Sequence, residues 1–287
     1  MEVQVKESRL RTSNGYPIAV SKFFCNTPTK HSLVISSATG VLQKYYANFA
    51  NFCASKGVVV YTFDYAGIGK SNSSIKELKK YTGNLISWGQ NDQAAIVALA
   101  KEEHPDATLT LMTHSVGGQI LGFNPNHGLI DKVIMVASQG GYWKDFEGYH
   151  QTKMWLFWYV LIPLLTPLFG YFPSKKLALF ENLPKNMVYE WASWGRQSSY
   201  MMHFKNAEFL FDKIKLPILS WSFPKDFYAP EKTVDWLADQ YKNAQIQRVH
   251  YAEEKKRQPG HFGFFKTAFK ELLWEQNLHW IFNDSLV

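Results

Sequence analysis

The feature that most constrains this chain is a regular alternation, from about residue 31 onward, of short apolar runs with helical stretches. The runs are LVIS within 31–37, VVVYTFDY at 58–65, LTLM at 109–112, KVIMVAS at 132–138 and ILSWSF at 218–223. Each has the length and composition of a strand buried on both faces. Between them, residues 43–55 place Tyr46, Phe49, Ala50 and Cys53 on one helical face, 84–103 reads as a second helix, and a short helix follows Ser115. Such alternation implies a mostly parallel sheet covered by helices on both sides. Ahead of it, residues 2–12 alternate, Asn14-Gly15 marks a tight turn and 17–25 return, so a hairpin opens the chain. IQRVHY at 246–251 adds a last strand, and a last helix is expected from about His261 to Phe282. The expectation is an α/β fold on a mostly parallel eight-stranded sheet.

The alternation stops near Gly140 and resumes at Leu216-Pro217. Residues 142–205 are helical, rich in aromatics and punctuated by prolines. The chain therefore divides into a core of 1–141 and 206–287 and a helical cap, 142–205, inserted after the sixth strand. A length of 287 residues with 46% apolar side chains suits one such domain. Within the cap, MWLFWYVLIPLLTPLFG at 154–170 is apolar, yet it is shorter than the roughly 20 residues of a membrane span and carries Pro163 and Pro167. It reads as a lid or a buried helix rather than a span.

Composition narrows the function classes. The formal charge is +7, but the lysines are scattered, and the one dense run, Lys255-Lys256-Arg257, is short. No nucleic-acid motif accompanies the charge, which leaves a solvated basic surface and no nucleic-acid partner. Cys25 and Cys53 form no CxxC, so zinc and redox motifs are unsupported, and no apolar signal core opens the chain. A cytoplasmic protein with reduced thiols is expected. There is no G-x-G-x-x-G at the first βα turn and no H-E-x-x-H. Gly67-x-Gly69-Lys70-Ser71 lacks the leading half of a phosphate loop and reads as a turn after the fourth strand.

The chemistry concentrates at LTLMTHSVGG, 109–118. A strand runs directly into Thr113-His114-Ser115-Val116-Gly117, and a helix follows. Small-x-Ser-x-Gly at a strand-to-helix junction is the nucleophile-elbow pattern: a sharp turn lifts the hydroxyl out of the sheet, and small flanking residues let strand and helix backbones nearly touch. A serine hydroxyl needs a base, and in this arrangement the acid and then the histidine follow in the chain. His261, in Pro259-Gly260-His261-Phe262-Gly263, lies after the last strand on a glycine-flanked loop. The other histidines come too early, or fall in the elbow, cap, strand or final helix. Asp226 follows the next-to-last strand and would orient His261; Asp145 and Glu147, after the sixth strand, are the alternatives. The oxyanion donors are expected to be the N–H of Val116 and, from the loop Ser36-Ser37-Ala38-Thr39-Gly40, that of Thr39, with Ala38 second. In the cap, Trp155, Trp158 and Tyr159 are expected to line an apolar substrate pocket.

Phe63-Asp64-Tyr65-Ala66-Gly67-Ile68-Gly69-Lys70-Ser71 resembles the D-x-x-G-x-G-x-S segment of α/β-hydrolases. With Thr113–Gly118, Asp226 and Gly260–Phe265, the resemblance spans nearly the whole chain. Ala38-Thr39-Gly40-Val41, 161–173 and Glu190-Trp191-Ala192 are similar to bacterial predicted α/β-hydrolases related to the serine aminopeptidase and monoglyceride-lipase-like branch. The resemblance implies a Ser–Asp–His triad, no cofactor or metal, and a helical cap over the site. Two departures stand out: Thr113 where glycine is usual, and Ser37-Ala38 where many relatives carry His-Gly. The expected activity is hydrolysis of an ester-type, or amide, bond of a hydrophobic acyl or aryl substrate. The rival is a non-catalytic ligand-binding protein on the same scaffold. Membrane-surface binding through 154–170 and homodimerisation are the remaining partner hypotheses.

Overall fold

The computed structural model describes residues 2–204, 207–252, 257–283 and 286. Lys255 and Lys256 of the basic run, and the boundary expected at 205–206, lie outside the described residues. The eight strands are β1 (Gln4–Arg11), β2 (Pro17–Phe24), β3 (His31–Ser36), β4 (Val59–Asp64), β5 (Thr108–His114), β6 (Lys132–Val136), β7 (Pro217–Ser222) and β8 (Gln245–His250). They form one sheet in the order β1-β2-β4-β3-β5-β6-β7-β8. β1 pairs antiparallel with β2 and β2 antiparallel with β4, while all other pairings are parallel. The sheet is thus mostly parallel, as the alternation predicts.

The period-two alternation of the strands divides the core. On one face Leu33, Ile35, Met112 and Ile134 pack under α1 (Ala47–Ser55) and the C-terminal helix. On the other, Val34, Leu111, Val133 and Met135 pack under α2 (Ala94–Glu103), α3 (Val116–Leu121) and the segment inserted between β6 and β7. That segment contains α4 (Gly148–Phe169) and α5 (Lys185–Gly195). Helices α6 (Glu231–Ala238) and α7 (Glu275–Asn283) complete the chain. Cys25 and Cys53 are buried and unpaired.

Three local readings change. The last helix does not run unbroken from His261: a single turn, Gly260–Gly263, precedes a break, and α7 starts at Glu275. The carbonyls that would continue it are taken elsewhere, that of His261 by the His114 ring, that of Phe262 by the Tyr45 hydroxyl and that of Phe264 by the Trp274 indole. The helix at 154–170 is also longer than it reads, because α4 starts at Gly148 and runs 22 residues through both prolines. Its π-helical turn, Phe157–Leu161, ends two residues before Pro163, whose missing N–H breaks the ladder, and the Arg196 guanidinium takes the Trp158 carbonyl at 3.0 Å. Finally, α4 is not a buried helix. Only 17% of its most apolar window is buried, and by length and composition it could cross a membrane.

The helix expected at 84–103 begins with a turn at Leu85–Ser87 and a π-helical stretch, Trp88–Gln93, before α2. There Asp92 is wholly buried. One oxygen accepts the Ala66 N–H at 2.8 Å and the other has no partner among the described residues. Burial pushes its carboxyl up from 3.8 to about 8. The native state therefore holds a proton that the unfolded chain has released, so this group's contribution is full below about pH 4 and is lost as pH rises towards 8. Asp92→Asn keeps the acceptor and removes the titration. Its stability relative to wild type is expected to rise between pH 5 and 8, by at most about 1.4 kcal/mol per pH unit. Urea unfolding of both proteins across that range checks it, and parallel pH profiles would refute it.

Candidate active site

β5 ends at His114, and the chain turns into α3 through Ser115, whose φ of 52° and ψ of −114° lie outside the ordinary regions for a residue with a Cβ. The Ser115 N–H is held by the Val136 carbonyl at 3.0 Å. The close crossing depends on two glycines. A Cβ on Gly117 would sit 2.6 Å from the Ser36 carbonyl oxygen, and one on Gly118 would sit 2.5 Å from Ser138 Cβ. Thr113 is accommodated at the turn: it is fully buried and its hydroxyl pairs with that of Ser138 at 3.1 Å.

Asp226 lies just beyond β7. Its Oδ1 accepts the N–H groups of Tyr228 and Ala229, each at 2.9 Å, which fixes the plane of the carboxylate. His261 donates from Nδ1 to Asp226 Oδ2 at 2.9 Å and to Oδ1 at 3.1 Å. That bond sets the tautomer and leaves Nε2 as the lone-pair nitrogen. The alternative acids stand elsewhere, with Asp145 paired to Lys232 at 3.0 Å and Glu147 exposed. Ser115, His261 and Asp226 are all nearly buried, at 6%, 8% and 4% exposure.

The Ser115 hydroxyl, however, makes no hydrogen bond to His261. It donates to Gln139 Oε1 at 3.3 Å. Gln139 is itself anchored, donating to the Tyr228 carbonyl at 3.1 Å and accepting from Gln119 through its backbone at 2.7 Å. The sequence reading missed Gln139. The signal available was its place three residues past the end of β6, the strand beside β5.

His114, the variable residue of the elbow motif, also belongs to the site. The Ala38 N–H donates to the Tyr46 hydroxyl at 2.9 Å, Tyr46 donates to His114 Nδ1 at 2.9 Å, and His114 Nε2 donates to the His261 carbonyl at 2.8 Å. One chain of bonds thus ties together the loop after β3, the elbow and the His261 loop. Burial drives the His114 ring well below its ordinary pKa, so it stays neutral. The same chain occupies the Ala38 N–H, whereas neither the N–H nor the hydroxyl of Thr39 has a partner among the described residues. His114→Phe strands the Tyr46 hydroxyl and the His261 carbonyl. It is expected to lower stability by about 2–5 kcal/mol, read by urea unfolding. A change under about 0.5 kcal/mol would mean the chain of bonds is idle.

The expected pocket residues do not face this site. Trp155 and Tyr159 lie on the outer face of α4, 41% and 40% exposed and stacked on each other. Trp158 is fully buried, its indole bonded to the Gly141 carbonyl at 3.2 Å and packed so tightly that a Cβ on Gly195 would fall within 2.3 Å of the ring. The α4 run is apolar all round, so its composition does not reveal which side turns inward. The rings that do surround His261 are Phe262, at 4.8 Å between centroids, and Tyr228, at 5.3 Å, with Phe180 packed against both.

The family model described as serine aminopeptidase, S33, matches residues 27–254. The chain belongs to this family. The match takes in β3 to β8 and both Ser115 and Asp226 of this α/β-hydrolase, and stops before His261. No curated protein matches its sequence. Among solved structures, a carboxyl esterase from Bacillus coagulans superimposes with a TM-score of 0.69 at 14% identity, covering 96% of this chain and 97% of its own. The Pyrococcus furiosus esterase gives 0.62 at 14% identity, covering 99% and 92%. An esterase from Exiguobacterium antarcticum gives 0.60 at 14% identity, covering 97% and 100%. At that identity the likeness is one of fold, and it extends over essentially the whole chain.

Proposed function

We propose that this S33-family α/β-hydrolase cleaves carboxylic esters with an apolar acyl or aryl group through a covalent acyl-enzyme. The observation that carries the reading is the buried Asp226–His261 pair, with Nδ1 committed to the carboxylate, beside a serine held in a strained turn. In the proposed cycle Ser115 Oγ leaves Gln139 by rotation about χ1 as substrate enters. It attacks the ester carbonyl while His261 Nε2 takes its proton, and the N–H groups of Val116 and Thr39 receive the oxyanion. The protonated His261 then gives its proton to the departing alcohol. Water, deprotonated by the same nitrogen, cleaves the acyl-enzyme to the acid and restores the serine. A resting hydroxyl turned from its base fits this route, since catalytic hydrogen bonds are often loose before substrate binds.

The segment 142–205 serves as a lid in this reading. Its residue Phe180 meets the oxyanion loop, because a Cβ on Gly40 would lie 2.8 Å from Phe180 Cβ and the Glu181 N–H bonds the Gly40 carbonyl at 3.0 Å. Phe180, Tyr228 and Phe262 supply the apolar wall, which favours an acyl or aryl group over a charged peptide amine. The structural neighbours named as esterases support the bond type.

Fluorophosphonate labelling followed by mass mapping tests the nucleophile: modification at Ser115 is expected. An unlabelled protein would favour a binding role on the same scaffold. For the pocket, kcat/KM is expected to rise up to about fourfold per added methylene from acetyl to longer esters, until the space is full. Phe180→Ala and Tyr228→Ala should shift the preferred length. A flat series would overturn the apolar-pocket assignment.

A further inference from the structure

We propose that the outer face of α4 docks this protein onto an anionic lipid bilayer, with the helix lying in the plane of the headgroups. The proposal stands apart from the catalytic reading and rests on where α4 places its side chains. Over 22 residues the helix carries one lysine, Lys153, and no acidic residue. Yet it leaves a row of large apolar side chains in water. Leu168 is 74% exposed, Tyr149 69% and Leu164 63%, with Trp155, Leu156 and Tyr159 near 40%. These residues form a stripe along one side, whereas a globular surface rarely keeps so large a contiguous apolar patch without a partner.

The helix cannot be a span in this fold. Its inner side, Trp158 and Ile162, is packed into the core. Its two ends are tied by the buried Phe146 before it and by Phe172, which pairs with Leu183, after it. A helix held along one side and at both ends can enter a bilayer only to the depth of its outer side chains. That is the geometry of a helix lying in the interface plane, with half-exposed Trp and Tyr rings at headgroup level.

Charge selects the occupant. Lys153 stands over the Tyr149 ring at 4.4 Å, Lys176 over Phe169 at 4.5 Å, Lys79 over Tyr171 at 5.9 Å and Arg196 over Tyr159 at 5.1 Å. Cations therefore border the stripe at both ends and along its side. Two nearby acids are paired, Asp145 with Lys232 and Glu181 with Lys175, while Glu147 is exposed and Glu231 and Asp235 lie on the surface beyond Asp145. A second copy facing the same stripe would bring like cations together. A surface of anionic headgroups over an apolar interior matches both the rim and the stripe. At the start of α4, His150 stacks on Phe227 at 4.2 Å, so the loop carrying Asp226 lies beside the docked face.

Co-sedimentation of the full chain with vesicles tests this, using phosphatidylcholine alone and phosphatidylcholine mixed with phosphatidylglycerol. Wild type is expected to pellet with the anionic vesicles, and less so as salt rises. Leu164→Asp with Leu168→Asp should reduce binding by at least about tenfold, with thermal unfolding unchanged. Lys153→Glu with Lys176→Glu should lower binding to the anionic vesicles selectively. Wild type staying in solution with both vesicles would overturn the proposal, as would leucine variants that pellet like wild type. So would a vesicle-free dimer that the leucine substitutions split into monomers, since a second copy would then own the face.

Discussion

Replacing Ser115 by alanine is expected to lower kcat by about 10⁴- to 10⁶-fold with little change in stability. The fold loses almost nothing by it. Among the described residues the hydroxyl makes one hydrogen bond, 3.3 Å to Gln139, and alanine carries the same Cβ in the same strained turn. The backbone that sets the turn, held by Val136, is untouched. A change within about 1 kcal/mol is expected in urea unfolding. Kinetics with a p-nitrophenyl ester, beside circular dichroism of the same sample, separate chemistry from folding. A folded variant that hydrolyses at the wild-type rate would remove Ser115 from the mechanism.

Asp226→Asn is expected to cost about 10⁴-fold in kcat, again with the fold intact, because it reverses a tautomer rather than a contact. The asparagine oxygen can still accept the N–H groups of Tyr228 and Ala229, which now hold Oδ1 at 2.9 Å. That orientation turns the amide NH₂ towards His261 Nδ1, where a carboxylate oxygen now accepts at 2.9 Å. Two donors cannot face each other, so the imidazole must move its proton to Nε2. The nitrogen meant to take the Ser115 proton then presents one of its own. Kinetics of Asp226→Asn, with ring protons followed by nuclear magnetic resonance, read both consequences. Full activity would exclude Asp226 as the orienting acid.

The parts legible in the sequence were those set by local chemistry. Strand and helix are written into residue spacing, so LVIS, LTLM and KVIMVAS predicted the parallel sheet that β3, β5 and β6 form. The elbow was equally local, since Gly117 permits an approach to the Ser36 backbone that no side chain could. Chain order then pointed to Asp226 and His261, which the fold brings to 2.9 Å from 35 residues apart.

What tertiary structure alone decided were choices among equals. The Ala38 and Thr39 N–H groups read alike in the sequence, and only the fold brings Tyr46 across to take that of Ala38. His114 reads as a variable position, and its role exists only because the His261 carbonyl arrives 147 residues later to accept from it. Gln139 gains its place from the lateral pairing of β5 with β6, which a linear pattern does not record. In α4 hydrophobicity runs around the whole helix, so its composition cannot say whether Trp155 or Trp158 turns inward. Packing against Gly195 buried Trp158 and left Trp155 and Tyr159 to the solvent, because only one side of a cylinder can meet a core.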